Sequence, residues 1–128
     1  MASPTIASLF REDVERFLRL HEVRFTPSVK FTGKTGFDHY FDFVIPASRV
    51  RPERVLRALN RPNKDKASAL IFSWEDTHAA RASDTTAYAL LNDHDTSESP
   101  DVLTAFAHYS IKAILWSQRD QHLQELAA

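Results

Sequence analysis

Both glycines of this 128-residue chain lie within one five-residue segment, residues 32–36. Glycine is needed where the backbone takes a positive φ or passes very close to another group. The rest of the chain must therefore fold with ordinary helices, strands and turns. We predict that this segment is a tight turn between two antiparallel strands.

Lys34 suggests a second interpretation of the same segment. Gly33, Lys34 and Thr35 match the end of the P-loop pattern, in which backbone amides and a lysine cradle phosphate. The complete pattern requires a glycine where this chain has Ser28. A phosphate-binding role for Lys34 remains the alternative to a simple turn.

The composition is that of an ordinary globular protein, with 43% hydrophobic and 26% charged residues. No apolar stretch is long enough to span a membrane, and residues 1–4 do not begin a signal peptide. The chain has no cysteine, which excludes disulfides and thiolate chemistry. We expect a cytoplasmic protein with one domain over residues 1–128.

Hydrophobic spacing and turn residues predict an α/β or α+β fold, a mixed sheet of about five strands covered by helices. An N-terminal helix occupies residues 1–23 and a C-terminal helix residues 117–128. Two further helices are predicted, one over residues 48–60 and one that begins at residues 99–100. The five predicted strands cover residues 24–31, 38–45, 69–74, 87–91 and 111–116.

Charge is unevenly distributed along the chain. Residues 49–66 carry seven basic and two acidic side chains, whereas residues 67–128 carry three basic and nine acidic ones. Such asymmetry indicates a charged partner or simply a solvated surface. For nucleic acid we predict phosphate contacts from a set of basic side chains: Lys30, Lys34, Arg54, Arg57, Arg61 and Lys64. The acidic remainder suggests a protein-interaction domain as an alternative.

Asp42 is an unusual residue for the middle of an aromatic strand, between Phe41 and Phe43. A carboxylate inside a covered sheet is costly unless it is paired, hydrogen-bonded or metal-bound. Alternation places Asp42 on one face of the strand and both phenylalanines on the other. A salt bridge to Lys30 or Lys34 and a catalytic or metal-binding role are both open.

Glu75 and Asp76 follow the predicted strand 69–74, at a position where α/β folds often gather site residues. Together with Asp42 they would form a hard-cation site for Mg²⁺ or Mn²⁺. The alternative is a turn in which Asp76 caps local backbone. The six histidines show no metal-binding spacing, and among them His39 merits a test.

Several segments resemble the uncharacterised bacterial and phage domain catalogued as domain of unknown function 1829. They occur in the matching order, between about residues 24 and 120. The similar segments are residues 29–36, 39–46, 51–54, 70–77 and 114–117. Members of that family usually follow a companion domain, so the resemblance implies a stand-alone version or one domain of a longer protein.

A more distant likeness concerns mechanism. A glycine turn followed by a strand bearing Asp42 is similar to the metal-binding motif of restriction-endonuclease-like nucleases. That likeness implies Asp42 and Glu75 as catalytic carboxylates, with Lys34 near the scissile phosphate. The lysine of the family motif, two residues after its Glu or Gln, is missing here, because Thr77 stands two residues after Glu75.

From these patterns we expect a noncatalytic or degenerate nuclease-like module that binds nucleic acid or a protein partner. The family resemblance suggests a phage-related or defence-related bacterial system. The alternative function is a metal-dependent phosphodiesterase that uses Asp42, Glu75 and Asp76.

Overall fold

The computed structural model describes residues 6–81, 84–94 and 100–128. Over these residues the chain forms a helix, three strands, a helix, a strand, a helix, a strand and a helical C-terminal segment. Their bounds are α1 Ile6–Leu20, β1 Thr26–Thr32, β2 Asp38–Ile45, β3 Arg54–Asn60, α2 Lys64–His78, β4 Thr86–Asn92, α3 Pro100–His108, β5 Ile111–Leu115, a 3₁₀ helix Trp116–His122 and α4 Leu123–Ala127.

The five strands form one mixed sheet in the order β1-β2-β3-β4-β5. The β1–β2 and β2–β3 pairs are antiparallel, whereas the β3–β4 and β4–β5 pairs are parallel. The parallel strands are connected through α2 and α3, as parallel pairing requires. The predicted fold class, a mixed five-stranded sheet covered by helices, is confirmed.

Two hydrophobic clusters cover the two faces of the sheet. Helices α2 and α3 pack on one face through Leu70, Trp74 and Phe106. Helix α1 and Leu126 of α4 pack on the opposite face. The central strands are therefore buried on both sides, which explains why their sequences lack clean alternation.

The predicted helix over residues 48–60 is wrong, because the second half of that segment is β3. Val55 and Leu59 face the α2 side, whereas Leu56 faces the α1 side. A strand buried on both faces carries apolar residues at spacings that also suit a helix. Parallel pairing with β4 along the whole strand decides the conformation.

The predicted strand over residues 69–74 is also wrong, since it lies inside α2. Asn63 caps this helix by accepting a hydrogen bond from the Lys66 amide at 2.8 Å. Ala67, Leu70 and Trp74 are buried at helical spacing, and Phe72 is exposed. Glu75 and Asp76 consequently lie in the last turns of a helix, not at the end of a strand.

The remaining predicted elements agree with the structure more closely. β1 is an edge strand that contains Pro27 and Ser28, with a left-handed φ of 53° at Ser28, and an edge strand is where proline is tolerated. The C-terminal segment is a 3₁₀ helix followed by α4 in place of one helix over 117–128. The predicted start of the first helix at residues 3–4 and most of the loop over 92–99 lie outside the described residues.

None of the helices in the described part of the chain has the length and apolar character needed to cross a membrane.

Candidate functional site

Asp42 lies where the pairing between β2 and β3 ends. The register of these strands joins residues 43–45 to residues 54–56. Immediately before this paired segment, the Asp42 carboxylate accepts the Ala58 amide at 2.7 Å in place of a main-chain oxygen. Phe41 packs on the α2 side and Phe43 on the α1 side, so the expected shared face of the two rings is wrong. The strand changes its alternation at Asp42.

Two arginines neutralise this carboxylate. Arg11 of α1 donates to it at 3.1 Å, and the Arg57 guanidinium lies 3.9 Å from it. Arg11 also donates to Ser28 at 2.6 Å and stacks over the Phe43 ring at 5.1 Å. The salt-bridge alternative for Asp42 named Lys30 or Lys34 as the partner, and neither is, because Arg11 and Arg57 pair with it. Lys30 pairs with Asp38 at 3.7 Å instead.

Asp76 lies on the other side of the sheet, in a buried hydrogen-bond cluster. Its carboxylate accepts the Thr35 amide at 2.8 Å and the Thr35 hydroxyl at 2.7 Å. His39 Nε2 is 2.7 Å from the same carboxylate, and His39 Nδ1 is 3.1 Å from Ser73 Oγ. The hydrogen bond from the Thr35 hydroxyl is the largest cause that lowers the pKa of Asp76, against the opposing effect of burial.

The two glycines form the β1–β2 turn and bring it against α2. Gly36 has a φ of 93°, which the turn requires. Gly33 passes so close to Asp76 that an added Cβ would lie 2.0 Å from Oδ2. The prediction of a tight turn between antiparallel strands is confirmed.

The backbone amides of this turn do not form a P-loop-like cradle for phosphate. The amides of Gly33 and Gly36 bond to Phe37 O and Gly33 O, at 2.8 and 3.0 Å. The Lys34 amide bonds to the Asp76 carbonyl, and the Thr35 amide bonds to the Asp76 carboxylate. All four amides are therefore used inside the protein, and none is left to receive a phosphate.

The structure does not bring Asp42, Glu75 and Asp76 into one metal site. Asp42 contacts Arg11 of α1, whereas Asp76 contacts the turn on the α2 side of the sheet. Glu75 is exposed and lines a separate cleft with His108 and Thr85. Over residues 6–81, 84–94 and 100–128, no three His, Asp or Glu side chains are placed to hold a metal ion.

Arg54 is not part of any phosphate-binding surface, contrary to the prediction. It begins β3 and is only 1% exposed. Its guanidinium donates to the main-chain oxygens of Pro46, Glu125 and Ala128 at 2.7–3.0 Å. Burial lowers the pKa of Arg54. This arginine joins the C-terminal helix to the sheet.

The other predicted basic residues reach solvent. Arg57 is half-exposed and donates to the Tyr40 carbonyl at 2.5 Å. Arg61 and Lys64, at the β3–α2 connection, are exposed and border a cleft of about 730 Å³ between α2 and α3. Its floor includes Ile71 and Val102. Lys34 is exposed at the glycine turn.

The family model described as Domain of unknown function DUF1829 matches residues 33–119 of the chain, which is more than half of its length. The chain belongs to this family. The matched span of this DUF1829 chain contains Asp42, Asp76 and the basic β3–α2 connection. Arg11, which donates a hydrogen bond to Asp42, lies before the matched span.

A solved structure shares the fold of this DUF1829 chain. The crystal structure of a protein of unknown function, AF1548, superimposes with a TM-score of 0.62 at 18% sequence identity. The similarity covers 84% of the present chain and 56% of that protein. No curated protein matches the chain.

The sequence patterns did not indicate the partners of Asp42 and Asp76. Arg11 lies 31 residues before Asp42, and Thr35 lies 41 residues before Asp76. The sequence offered one indication that His39 lies near the Asp76 cluster. His39 is in β2, three residues after Gly36 of the turn that contacts Asp76. No local pattern relates Ser73 to His39.

Proposed function

We propose that this DUF1829 protein is a noncatalytic, nuclease-like module that binds nucleic acid. The main support for this proposal is the pairing of Asp42. By the likeness to restriction-endonuclease-like nucleases, Asp42 would be a metal ligand. Its carboxylate is occupied by Arg11, Arg57 and the Ala58 amide. The proposed setting is a phage-related or defence-related bacterial system, as the family resemblance implied.

Electrostatics explains why this arrangement favours binding without cleavage. A hard cation needs several free carboxylate or carbonyl oxygens, whereas two guanidinium groups already neutralise Asp42 and would repel a divalent ion. Phosphate, in contrast, is attracted to guanidinium groups and accepts their hydrogen bonds. Guanidinium groups therefore take the place that a metal ion would occupy at Asp42. This arrangement removes metal-dependent catalysis and favours phosphate binding.

The proposed contact surface begins at Arg57 and continues to the N-terminal end of α2. Arg61 and Lys64 lie at that end, where the helix dipole also favours an anion. Both side chains are exposed, and the Lys66 ammonium holds the connection by donating to the Asn60 and Arg61 carbonyls. A charged phosphate backbone would meet a pre-organised basic edge at this position.

The first test is a gel of plasmid and short single-stranded DNA incubated at low salt with Mn²⁺ or with EDTA. We expect retarded but uncut DNA under both conditions. Asp42→Asn should retain this binding, and its free energy of unfolding should fall by about 1–2 kcal/mol because Arg11 and Arg57 lose their charged partner. Unfolding is measured by urea denaturation.

Two other results of the gel would contradict the proposal. Mn²⁺-dependent cleavage that disappears in Asp42→Asn would make the protein a metal-dependent phosphodiesterase. The absence of any shift would leave a protein partner for the acidic C-terminal half as the better hypothesis.

Charge reversal tests the basic surface directly. Arg61→Glu combined with Lys64→Glu should weaken DNA binding about tenfold or more. The variant neutralises fewer phosphates, so its binding releases fewer counterions from the DNA. The slope of log affinity against log salt should fall by roughly 1.4–1.8 for two contacts. Fluorescence anisotropy over a salt series measures both quantities.

The matched control is Arg16→Glu combined with Arg19→Glu, which makes the same charge change on exposed α1 positions across the sheet. The DNA affinity of this control should decrease less, because the control changes the net charge but removes no proposed phosphate contact. Equal losses in the two double variants would mean that binding is not located at the β3–α2 connection.

A further inference from the structure

Two phenylalanine rings are exposed side by side where the glycine turn meets α2. Phe37 is 63% exposed and Phe72 is 47% exposed. Their ring centroids lie 6.1 Å apart, with the planes inclined at 71°. Large aromatic side chains grouped at the surface are typical of interaction sites. We call Phe37 and Phe72 the aromatic pair.

The aromatic pair is held in place by the hydrogen bonds of the turn. Gly36 takes its positive φ directly before Phe37, and Thr35 is bonded twice to Asp76 of α2. The His39 and Phe72 rings pack edge to face, with centroids 5.4 Å apart and planes at 78°. A surface fixed in this way loses little conformational entropy when it binds a ligand.

Basic side chains lie on both approaches to the aromatic pair. Lys34 is exposed in the same turn, three residues before Phe37. On α2, Lys64, Ser68 and Phe72 follow each other at intervals of four residues, so they lie on one side of the helix. All three are exposed, and Lys64 is about 12 Å along the helix axis from Phe72.

Two exposed acidic residues border this surface. Asp101 lines the same cleft as Arg61 and Lys64, which leaves the basic residues in excess there. Glu75 is exposed one turn beyond Phe72, in the direction of the helix C-terminus. An anionic ligand would therefore approach from the N-terminal end of α2 and finish at the aromatic pair. The charge pattern gives the surface a direction.

We propose that the nucleic acid bound by this protein is single-stranded, with an unpaired base stacked on the aromatic pair. This inference rests on the proposed nucleic-acid binding function and specifies its ligand. Phosphates contact Arg61 and Lys64, and Lys34 contacts the phosphate next to the stacked base. A duplex cannot use Phe37 and Phe72 in this way, because its bases are already stacked on each other.

The experiment compares a labelled single-stranded DNA of about 16 nucleotides with the duplex of the same sequence, by fluorescence anisotropy at low salt. The wild-type protein should bind the single strand more tightly. Phe37→Leu combined with Phe72→Leu should weaken single-strand binding about tenfold, because leucine keeps an apolar side chain but cannot stack on a base. Duplex binding should stay unchanged.

Tyr40→Leu is the matched aromatic control. Tyr40 is 59% exposed on β2, beside His39 in sequence but on the opposite face of the strand. Its loss should change neither affinity. Urea denaturation of each variant shows whether the fold is retained, which is expected because all three rings are exposed.

Two results would overturn the inference, and they differ in what they leave standing. Equal affinity for single strand and duplex, unchanged in the Phe37 and Phe72 variant but reduced by Arg61→Glu with Lys64→Glu, would reject base stacking and keep nucleic-acid binding. No binding of either DNA by the wild-type protein would reject both, and the aromatic pair would then be tested as a protein contact.

Discussion

Arg54→Leu should lower the free energy of unfolding by about 3–5 kcal/mol, measured by urea denaturation followed through tryptophan fluorescence. The Arg54 guanidinium satisfies main-chain oxygens from three places, Pro46, Glu125 and Ala128. Leucine would occupy part of the same buried space and leave these oxygens without donors. Buried acceptors without partners are among the most destabilising defects in a folded protein.

Arg51→Leu is the control for this prediction, since Arg51 is exposed three residues earlier in the same basic segment. It should change the free energy of unfolding by less than about 0.5 kcal/mol. Arg54→Leu should also retain its affinity for nucleic acid at temperatures where it is folded. Equal stability of the two variants, or a specific loss of DNA binding in Arg54→Leu, would contradict the structural role.

Gly33→Ala should destabilise the protein by roughly 2–3 kcal/mol, near the upper end of typical overpacking effects. The new Cβ would lie 2.0 Å from Asp76 Oδ2. That oxygen cannot move freely, because His39 and the Thr35 hydroxyl both bond to it at 2.7 Å. Either the turn leaves α2 or the hydrogen bonds of Asp76 break.

The pH dependence of stability separates this explanation from simple backbone strain. The pKa of Asp76 is lowered in the folded protein from its usual 3.8, so its stabilising effect is complete above that pH. The effect is lost as the pH falls through the lowered value. In Gly33→Ala, where the hydrogen bonds of Asp76 are already disturbed, the loss of stability in acid should be smaller.

Gly36→Asn provides the control within the same turn. A Cβ at Gly36 would meet nothing within 4 Å, and asparagine tolerates a positive φ better than most residues. Its free energy of unfolding should fall by less than about 1 kcal/mol, with the acid dependence of the wild type. A Gly33→Ala protein that matches it in stability and pH profile would mean that contact with Asp76 is unimportant.

The fold class followed from the sequence, although two neighbouring elements were interchanged in type. Residues 48–60 were predicted as a helix and residues 69–74 as a strand, whereas β3 and α2 occupy these places. Apolar residues on both faces of a central strand imitate helical spacing, and a short apolar run within a helix imitates a buried strand. Asn63, the N-cap of α2, was not recognised as a helix start in the prediction.

The need of Asp42 for a compensating charge was predictable, but its partner was not. Lys30 and Lys34 were the candidates because they are close in the hairpin sequence. The partner is Arg11 of α1, which lies 31 residues before Asp42 in the sequence. A side chain's partner across the core depends on how elements pack, and local spacing carries no information about that.

The sequence alone predicted the glycine turn, because two glycines in one segment indicate a backbone that must turn sharply and approach another element. It also determined a mixed sheet with helices, through the lengths and periods of its apolar segments. The role of each charged residue, in contrast, depends on how the helices and strands pack. Arg54 and Asp76 are buried and Asp42 is partly buried, and distant segments contribute the donors or acceptors of all three. Burial and pairing of charges are properties of the packed chain, since they arise only when those segments meet.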